Sequence, residues 1–189
     1  NDAFFDNDTI IQLTGALNGQ SGSAWHMNQL DISSSFNFNI SLFLGCNNSG
    51  ADGIAFSLQQ VSTAVGSSGG GLGYAGISPA FTVEFDTYFN KDHSDPSYDH
   101  IAINANGDNN HSSANNLSGP LSFPNFINIE DCNWHDFIIS WDANSQIFSV
   151  EYEGDQLLNY QGDIVNDIFF GNPNVFWGFT GSTGALNNL

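Results

Sequence analysis

The segment Glu84-Phe85-Asp86-Thr87-Tyr88-Phe89-Asn90-Lys91-Asp92-His93-Ser94-Asp95-Pro96-Ser97-Tyr98-Asp99-His100 carries the residue types that hold divalent cations. Glu84 and Asp86 lie two apart in an alternating stretch, so as strand residues their carboxylates project from one face. A hard cation such as calcium takes carboxylate, amide and main-chain oxygens. Asp86, Asn90, Asp95 and the main-chain oxygen of Tyr88 supply that set. A borderline transition ion, manganese or another divalent metal, prefers a set that includes imidazole. Glu84 and His100, with Asp86 and Asp95 as bridging ligands, supply the second set. The alternatives are a solvated Asn/Asp loop without metal and a calcium-only site with Glu84 and His100 idle. Glu84 argues against the first, because an acid inside an apolar strand needs a partner.

Composition narrows the partners. The chain has 20 acidic side chains and one basic one, Lys91, for a formal net charge of −19. Without cations to displace counterions it has no ordinary means of holding a nucleic-acid backbone or an anionic membrane surface. No apolar run reaches membrane-spanning length. Much of the acidity is explained by solubility. Acids clustered with no Arg or Lys nearby are instead candidates for metal ligation. The two cysteines, Cys46 and Cys132, form a disulfide candidate, with two unpaired thiols as the alternative. A bridge would close a loop of about 87 residues and contribute about 4–5 kcal/mol on the chain-entropy model.

The elements that position these residues read as strands. Phe36–Phe43 and Phe81–Asp86 alternate apolar and polar residues with period two. Further strands are expected at Gly53–Leu58, His100–Asn104, Asp136–Trp141, Ile147–Glu151 and Phe176–Thr180. Turn-forming clusters separate them at Cys46–Gly50, Gly66–Gly73, Asn104–Asn116 and Asp142–Ser145. Asn104–Gly119 reads as a long exposed loop. No segment has convincing helical periodicity. The expected fold is an all-β antiparallel sandwich forming one domain over residues 1–189. The first residue, Asn1, and the last, Leu189, read as the bounds of a piece of a longer product. Trp25, Trp134, Trp141 and Trp177 are expected in the core. His26, His93, His111 and His135 lack a partner pattern and receive no role.

These residues carry a resemblance. The pattern Glu-x-Asp-x-aromatic-x-Asn, then Asp, then His, at Glu84 to His100, resembles the metal-binding segment of L-type (legume-lectin-like) lectins. Ala51-Asp52-Gly53-Ile54-Ala55-Phe56 resembles the segment where that family places a cis peptide before a sugar-binding aspartate. Gly69-Gly70-Gly71-Leu72-Gly73 resembles its glycine loop, and Trp177-Gly178-Phe179-Thr180-Gly181-Ser182-Thr183-Gly184 the strand and turn before its specificity loop. Gly22-Ser23-Ala24-Trp25, Leu44-Gly45 and Trp134-His135 look more like bacterial members than plant ones.

The resemblance implies a concanavalin A-like jelly roll and calcium-dependent carbohydrate binding, as in a secreted or cell-surface adhesin that recognises glycans. Asp52 would accept from sugar hydroxyls. Asn90 would ligate calcium through its carbonyl and donate its amide to the sugar. A glycine N–H, from Gly71 or Gly70, would donate to the same oxygens. The ring of Tyr88 would pack on a pyranose face, and Gly184 and Ala185 would line the variable fourth loop. Two other functions compete. One is a calcium-rigidified structural or adhesive spacer without sugar binding. The other is a glycoside hydrolase using Glu84 and Asp86, but Tyr88 and Phe89 stand where a third acid would be needed. The expectation is therefore a binding domain and not an enzyme.

Overall fold

The structure is a computed structural model that describes residues 1–7, 9–66 and 69–187. Residues 67 and 68, inside the Gly66–Gly73 turn cluster, lie outside the described residues. Thirteen strands are described: β1 (Phe4–Phe5), β2 (Ile11–Gln12), β3 (Ser21–Trp25), β4 (Leu30–Asp31), β5 (Phe36–Phe43), β6 (Gly53–Gln59), β7 (Ala80–Asp86), β8 (His100–Ala105), β9 (Asn116–Ser122), β10 (Trp134–Asp142), β11 (Ile147–Tyr152), β12 (Asp155–Gln161) and β13 (Asn174–Ser182). All strand pairs are antiparallel. One sheet runs β3-β13-β6-β7-β8-β9, with β4 also on β13; the other runs β12-β11-β10-β5; β1 and β2 form a separate ribbon.

Alternation explains the layering. Along β5, Phe36, Phe38 and Ile40 are partly buried against the core and Leu42 is buried, while Asn37, Asn39 and Ser41 face solvent. β10 repeats this with Phe137, Ile139 and Trp141 inward. β7 differs, being buried along its whole length. Its Phe81, Val83 and Phe85 face the opposite sheet, so Thr82, Glu84 and Asp86 lie under the loops on the other side. Phe85 meets Phe137 and Phe81 meets Phe148, each pair with ring centroids 4.8 Å apart. Each such fully buried ring contributes about 1.5–3 kcal/mol of apolar transfer, which makes β7 a rigid base for whatever its other face carries.

Cys46 and Cys132 form a disulfide, and Cys132 N–H donates to Gly45 O at 3.0 Å. The bridge ties the chain leaving β5 to the chain entering β10. All seven expected strands are present. β1, β2, β3, β4, β9 and β12 were not foreseen. β9 corrects the reading of Asn104–Gly119 as a long exposed loop, because a strand begins at Asn116. One helical turn, α1 (Ile164–Asp167), is capped by Asp163, whose side chain accepts from Asn166 N–H; it corrects the expectation of no helix. Trp141 is buried, but Trp134 is 51% exposed and packs on Phe43 at the sheet edge, so it is not a core residue. Among the described residues, β5 pairs only with β10, leaving its other edge open. Among the described residues, none of the first twelve pairs with β5. Asn1 and Asp2 bond instead to Ser21 and Ser23.

Candidate functional site

The sequence-predicted residues converge at one end of the longer sheet. β7 delivers Glu84 and Asp86, and β8 begins opposite them with His100, which is in register with Asp86. Glu84, Asp86, Asp95 and His100 are all buried, at 0%, 2%, 9% and 1% exposure. No arginine exists in the chain and the lone lysine is exposed. Burial, then the Glu84 charge, pushes the Asp86 carboxyl well above the carboxylate range. Burial raises Glu84 to about 8 and also lifts Asp95. The same desolvation lowers His100 to about 4, so its imidazole is neutral and free to ligate. Buried acids without a protein cation ionise together only if a bound cation compensates them.

The loop after β7 is held by the same carboxylates. Tyr88 N–H donates to Asp86 Oδ1 at 2.7 Å, and Asn90 N–H donates to Asp95 Oδ2 at 2.7 Å. Each aspartate thereby keeps its second oxygen for another partner. One face of Glu84 is satisfied by the Tyr74 hydroxyl, which in turn accepts from Asn104. Its Oε1 is buried and accepts no hydrogen bond. Asp86, Asp95 and His100 offer atoms within 4.8 Å of one another, and so do Glu84, His100 and His111. An orphaned carboxylate oxygen within a cluster of oxygens and imidazoles fits the transition-ion set. The oxygens of Asp86, Tyr88, Asn90 and Asp95 in one short loop fit a hard cation.

His111 was given no role from sequence, and the structure corrects that. Its side chain is 3% exposed and its Nε2 lies 3.1 Å from Glu84 Oε1 and 3.4 Å from Asp95 Oδ1. Sequence spacing had no means of finding it, because it comes from the β8–β9 connection. That connection is folded onto the acidic loop. Asp108 accepts from Asn110 N–H, Ser113 Oγ and Asn115 Nδ2. His111 N–H donates to His93 O at 2.9 Å.

Beside the acids lies a second set of groups. The Ala51-Asp52 peptide is cis, as the resemblance implied. Asp52 N–H donates to Ser182 O, and Asp52 O accepts from Thr87 N–H. Its carboxylate is 4% exposed, with Oδ2 buried and unpartnered. Burial raises this group to about 6, with the nearby His93 opposing. Asn90 Nδ2 is likewise buried and unpartnered. Gly70 stands directly against Asn90: a Cβ there would lie 2.9 Å from Asn90 Oδ1. A side chain at Gly70 would therefore displace the Asn90 amide from its place. Gly70 O accepts from Asn109, and Gly69 O from Ser182 Oγ at 2.6 Å. A Cβ on Gly184 would lie 3.1 Å from Asp52 Oδ2. Ala185 O accepts from Asn18, fixing the turn after β13. Tyr88 presents a ring that is 38% exposed.

Beneath Thr87 sits another buried acid, Glu130, at 2% exposure. Burial, then the charge of Asp99, raises it to about 8, with Thr87 opposing. An acid whose folded pKa is raised adds stability fully present below the ordinary value and lost as pH rises through the folded one. Glu130→Gln is therefore expected to raise the thermal midpoint by about 5 °C near pH 8.5 and to leave it unchanged near pH 4, read by calorimetry. A midpoint shift equal at both pH values would show that the carboxyl is not the cause.

Comparison with known proteins agrees with the fold. The chain matches the legume lectin beta-barrel domain over residues 1–189. It is 34% identical over 149 residues to the pesticidal crystal protein Cry22Aa of Bacillus thuringiensis, covering 77% of this chain and 18% of that protein. The chain thus spans less than a fifth of that relative. In fold it is similar to lectin I-B4 from Griffonia simplicifolia in its metal-free form, with TM-score 0.75 and 24% identity, covering 97% of this chain and 84% of that one. It is also similar to a lectin from Bauhinia forficata in complex with GalNAc, with TM-score 0.75 and 22% identity, covering 97% and 83%. The chain belongs to the legume lectin beta-barrel family, and its fold and family support carbohydrate binding.

Proposed function

We propose that residues 1–189 form a non-enzymatic, calcium-dependent glycan-binding domain of a larger secreted or cell-surface protein, acting as an adhesin. The observation that carries this is a pair of buried, unpartnered polar atoms on one rim: the acceptor Asp52 Oδ2 and the donor Asn90 Nδ2. A sugar hydroxyl both donates and accepts, so neighbouring hydroxyls satisfy the two at once. A side chain on Gly70 or Gly184 would crowd Asn90 Oδ1 or Asp52 Oδ2, and glycine at both positions keeps those groups clear for a sugar. Tyr88 offers an apolar face, and Gly71 and Ala185 complete the rim. Asp86, Asn90, Asp95 and the main-chain oxygen of Tyr88 would hold calcium. Glu84, Asp86, Asp95 and His100 would hold manganese or another transition ion. Bound cations supply positive charge that keeps the acids ionised and fixes the loop, so Asn90 is presented without further ordering.

The disulfide is consistent with an oxidising compartment. The match to only 18% of Cry22Aa is consistent with a module of a longer chain. Against hydrolysis, raised acids such as Glu84 would serve as proton donors only without metal, and the position after Asp86 on the same face is taken by Tyr88. The test is a glycan array probed with calcium and then with chelator. Binding to a related set of glycans that disappears with chelator is the expected result. Absence of binding by folded, metal-loaded protein would overturn the reading in favour of a structural spacer.

A further inference from the structure

We propose that His111 is a direct ligand of the second cation, giving that site two imidazoles and three carboxylates and a preference for zinc or cobalt over manganese. This deepens the transition-ion site proposed above and rests on it. It does not rest on sugar binding.

The geometry carries the inference. Around an ion with bonds of about 2.0–2.2 Å, adjacent ligand atoms stand about 3.0–3.4 Å apart. His111 Nε2 lies 3.0 Å from His100 Nε2, 3.1 Å from Glu84 Oε1 and 3.4 Å from Asp95 Oδ1. His100 Nε2 and Glu84 Oε1 are 3.9 Å apart, a wider angle at the same centre. Glu84 Oε1 accepts no hydrogen bond although it is buried among these groups, so it is aimed at the space between them. Two imidazole rings meet edge-on with their Nε2 atoms 3.0 Å apart, which as neutral groups gives one N–H···N hydrogen bond. They gain far more by sharing a cation.

The surroundings fix where both rings stand. For each Nε2 to offer its lone pair, each Nδ1 must carry the proton and find an acceptor. Tyr98 O lies 3.2 Å from His100 Nδ1. The amide nitrogen of Asn116 lies 3.1 Å from His111 Nδ1 and donates to Asn104 Oδ1 at 3.0 Å, so cation binding at His111 Nε2 requires this amide to turn over and exchange the Asn104 bond for one from the ring proton. The main chain of His111 is anchored to His93 O, and Ser112 Oγ donates to Ser94 Oγ at 2.7 Å, so the loop that carries His111 is bound to the loop that carries Asp95. Imidazole nitrogen shifts selectivity along the divalent series from manganese toward cobalt and zinc.

The test loads calcium-saturated protein from an equimolar mixture of Mn²⁺ and Zn²⁺ and counts bound metal by mass spectrometry, for the natural chain and for His111→Ser and His111→Gln. The natural chain is expected to retain zinc over manganese. Both variants are expected to lose at least about tenfold of that preference, with circular dichroism showing the fold intact. Pulsed EPR of the Mn²⁺-loaded natural chain is expected to show two coupled imidazole nitrogens, and of the variants one. Unchanged metal preference and nitrogen count in folded variants would overturn the proposal and leave His111 as a hydrogen-bonding neighbour. Uptake of no transition ion at all would overturn it together with the second site. The glycan array in calcium alone would still judge the proposed function.

Discussion

Asp86→Ala is expected to remove both cations and glycan binding in one step. Asp86 belongs to both ligand sets, and its Oδ1 also accepts from Tyr88 N–H at 2.7 Å, holding the start of the loop that ends in Asn90 and Asp95. Alanine removes a shared ligand and the loop's first anchor together. Metal affinity should fall by at least about 100-fold at each site, since changes even at outer-shell partners cost 10–100-fold. Titration calorimetry with Ca²⁺, metal counting and glycan affinity read the three losses. A variant that keeps two cations per chain, or sugar affinity within about threefold of the natural chain, would falsify the shared-ligand reading.

Metal removal gives the same site a pH signature. In stripped protein Glu84, raised to about 8, and Asp86, raised well above the carboxylate range by burial and by Glu84, favour the protonated form. Their contribution is fully present below the ordinary carboxylate pKa and is lost as pH rises through their folded values. Chelator-treated protein should therefore lose stability steadily from pH 5 to 8, beyond the slope that Glu130 adds. Calcium-loaded protein should gain over the same span, because ligands must be deprotonated. At a cation concentration about 1,000 times its dissociation constant, binding stabilises by about 4 kcal/mol, roughly 10 °C in midpoint for a chain of this size. Parallel slopes with and without metal would count against the site.

Asp52→Ala is expected to abolish sugar binding while leaving fold and metal loading in place. The backbone of Asp52 does its structural work, through Ser182 O and Thr87 N–H. The Oδ2 atom makes no hydrogen bond. Removing a buried carboxyl that burial has raised to about 6 relieves desolvation at neutral pH, so the variant should be at least as stable there. Loss of a charged acceptor to sugar hydroxyls corresponds to about 3–5 kcal/mol, at least about 100-fold in affinity. Asp52→Asn replaces the charged acceptor with a neutral amide and should not restore binding. Sugar affinity that survives Asp52→Ala, with both cations bound, would move the sugar elsewhere on the domain or deny it altogether.

Much of this arrangement was legible before any coordinates, for physical reasons that differ by residue. β5 and β7 announce themselves because alternation with period two survives in any strand with one buried face. Glu84, Asp86, Asn90, Asp95 and His100 lie within one hairpin and its loop, so their convergence follows from local geometry. β3 (Ser21–Trp25) and β9 (Asn116–Ser122) were missed because glycine, serine and a proline make up most of them; their strand state comes from pairing with β13 and β8. His111 was missed for a related reason. Its position depends on the turns that Asp108 builds and on the bond from its N–H to His93 O, none of which leaves a periodic trace. Trp134 was misjudged because its size argues for burial, while its place at the start of β10, paired with Phe43 at the end of β5, leaves it on the rim.

The cation ligands all lie between Glu84 and His111, whereas the sugar rim joins Asn18 to Ala185, 167 residues apart. Loop-closure entropy grows as the logarithm of length, so the second closure costs about 1–2 kcal/mol more than the first. β13, the last of the described strands, lies between β3 and β6, so the longer sheet stays split until residues 174–182 have been made. During translation the acidic hairpin can fold and collect its ions early. The groups that would grip a sugar meet only when residues 174–185 have left the ribosome, so a truncated chain would retain a cation site and lack the sugar rim.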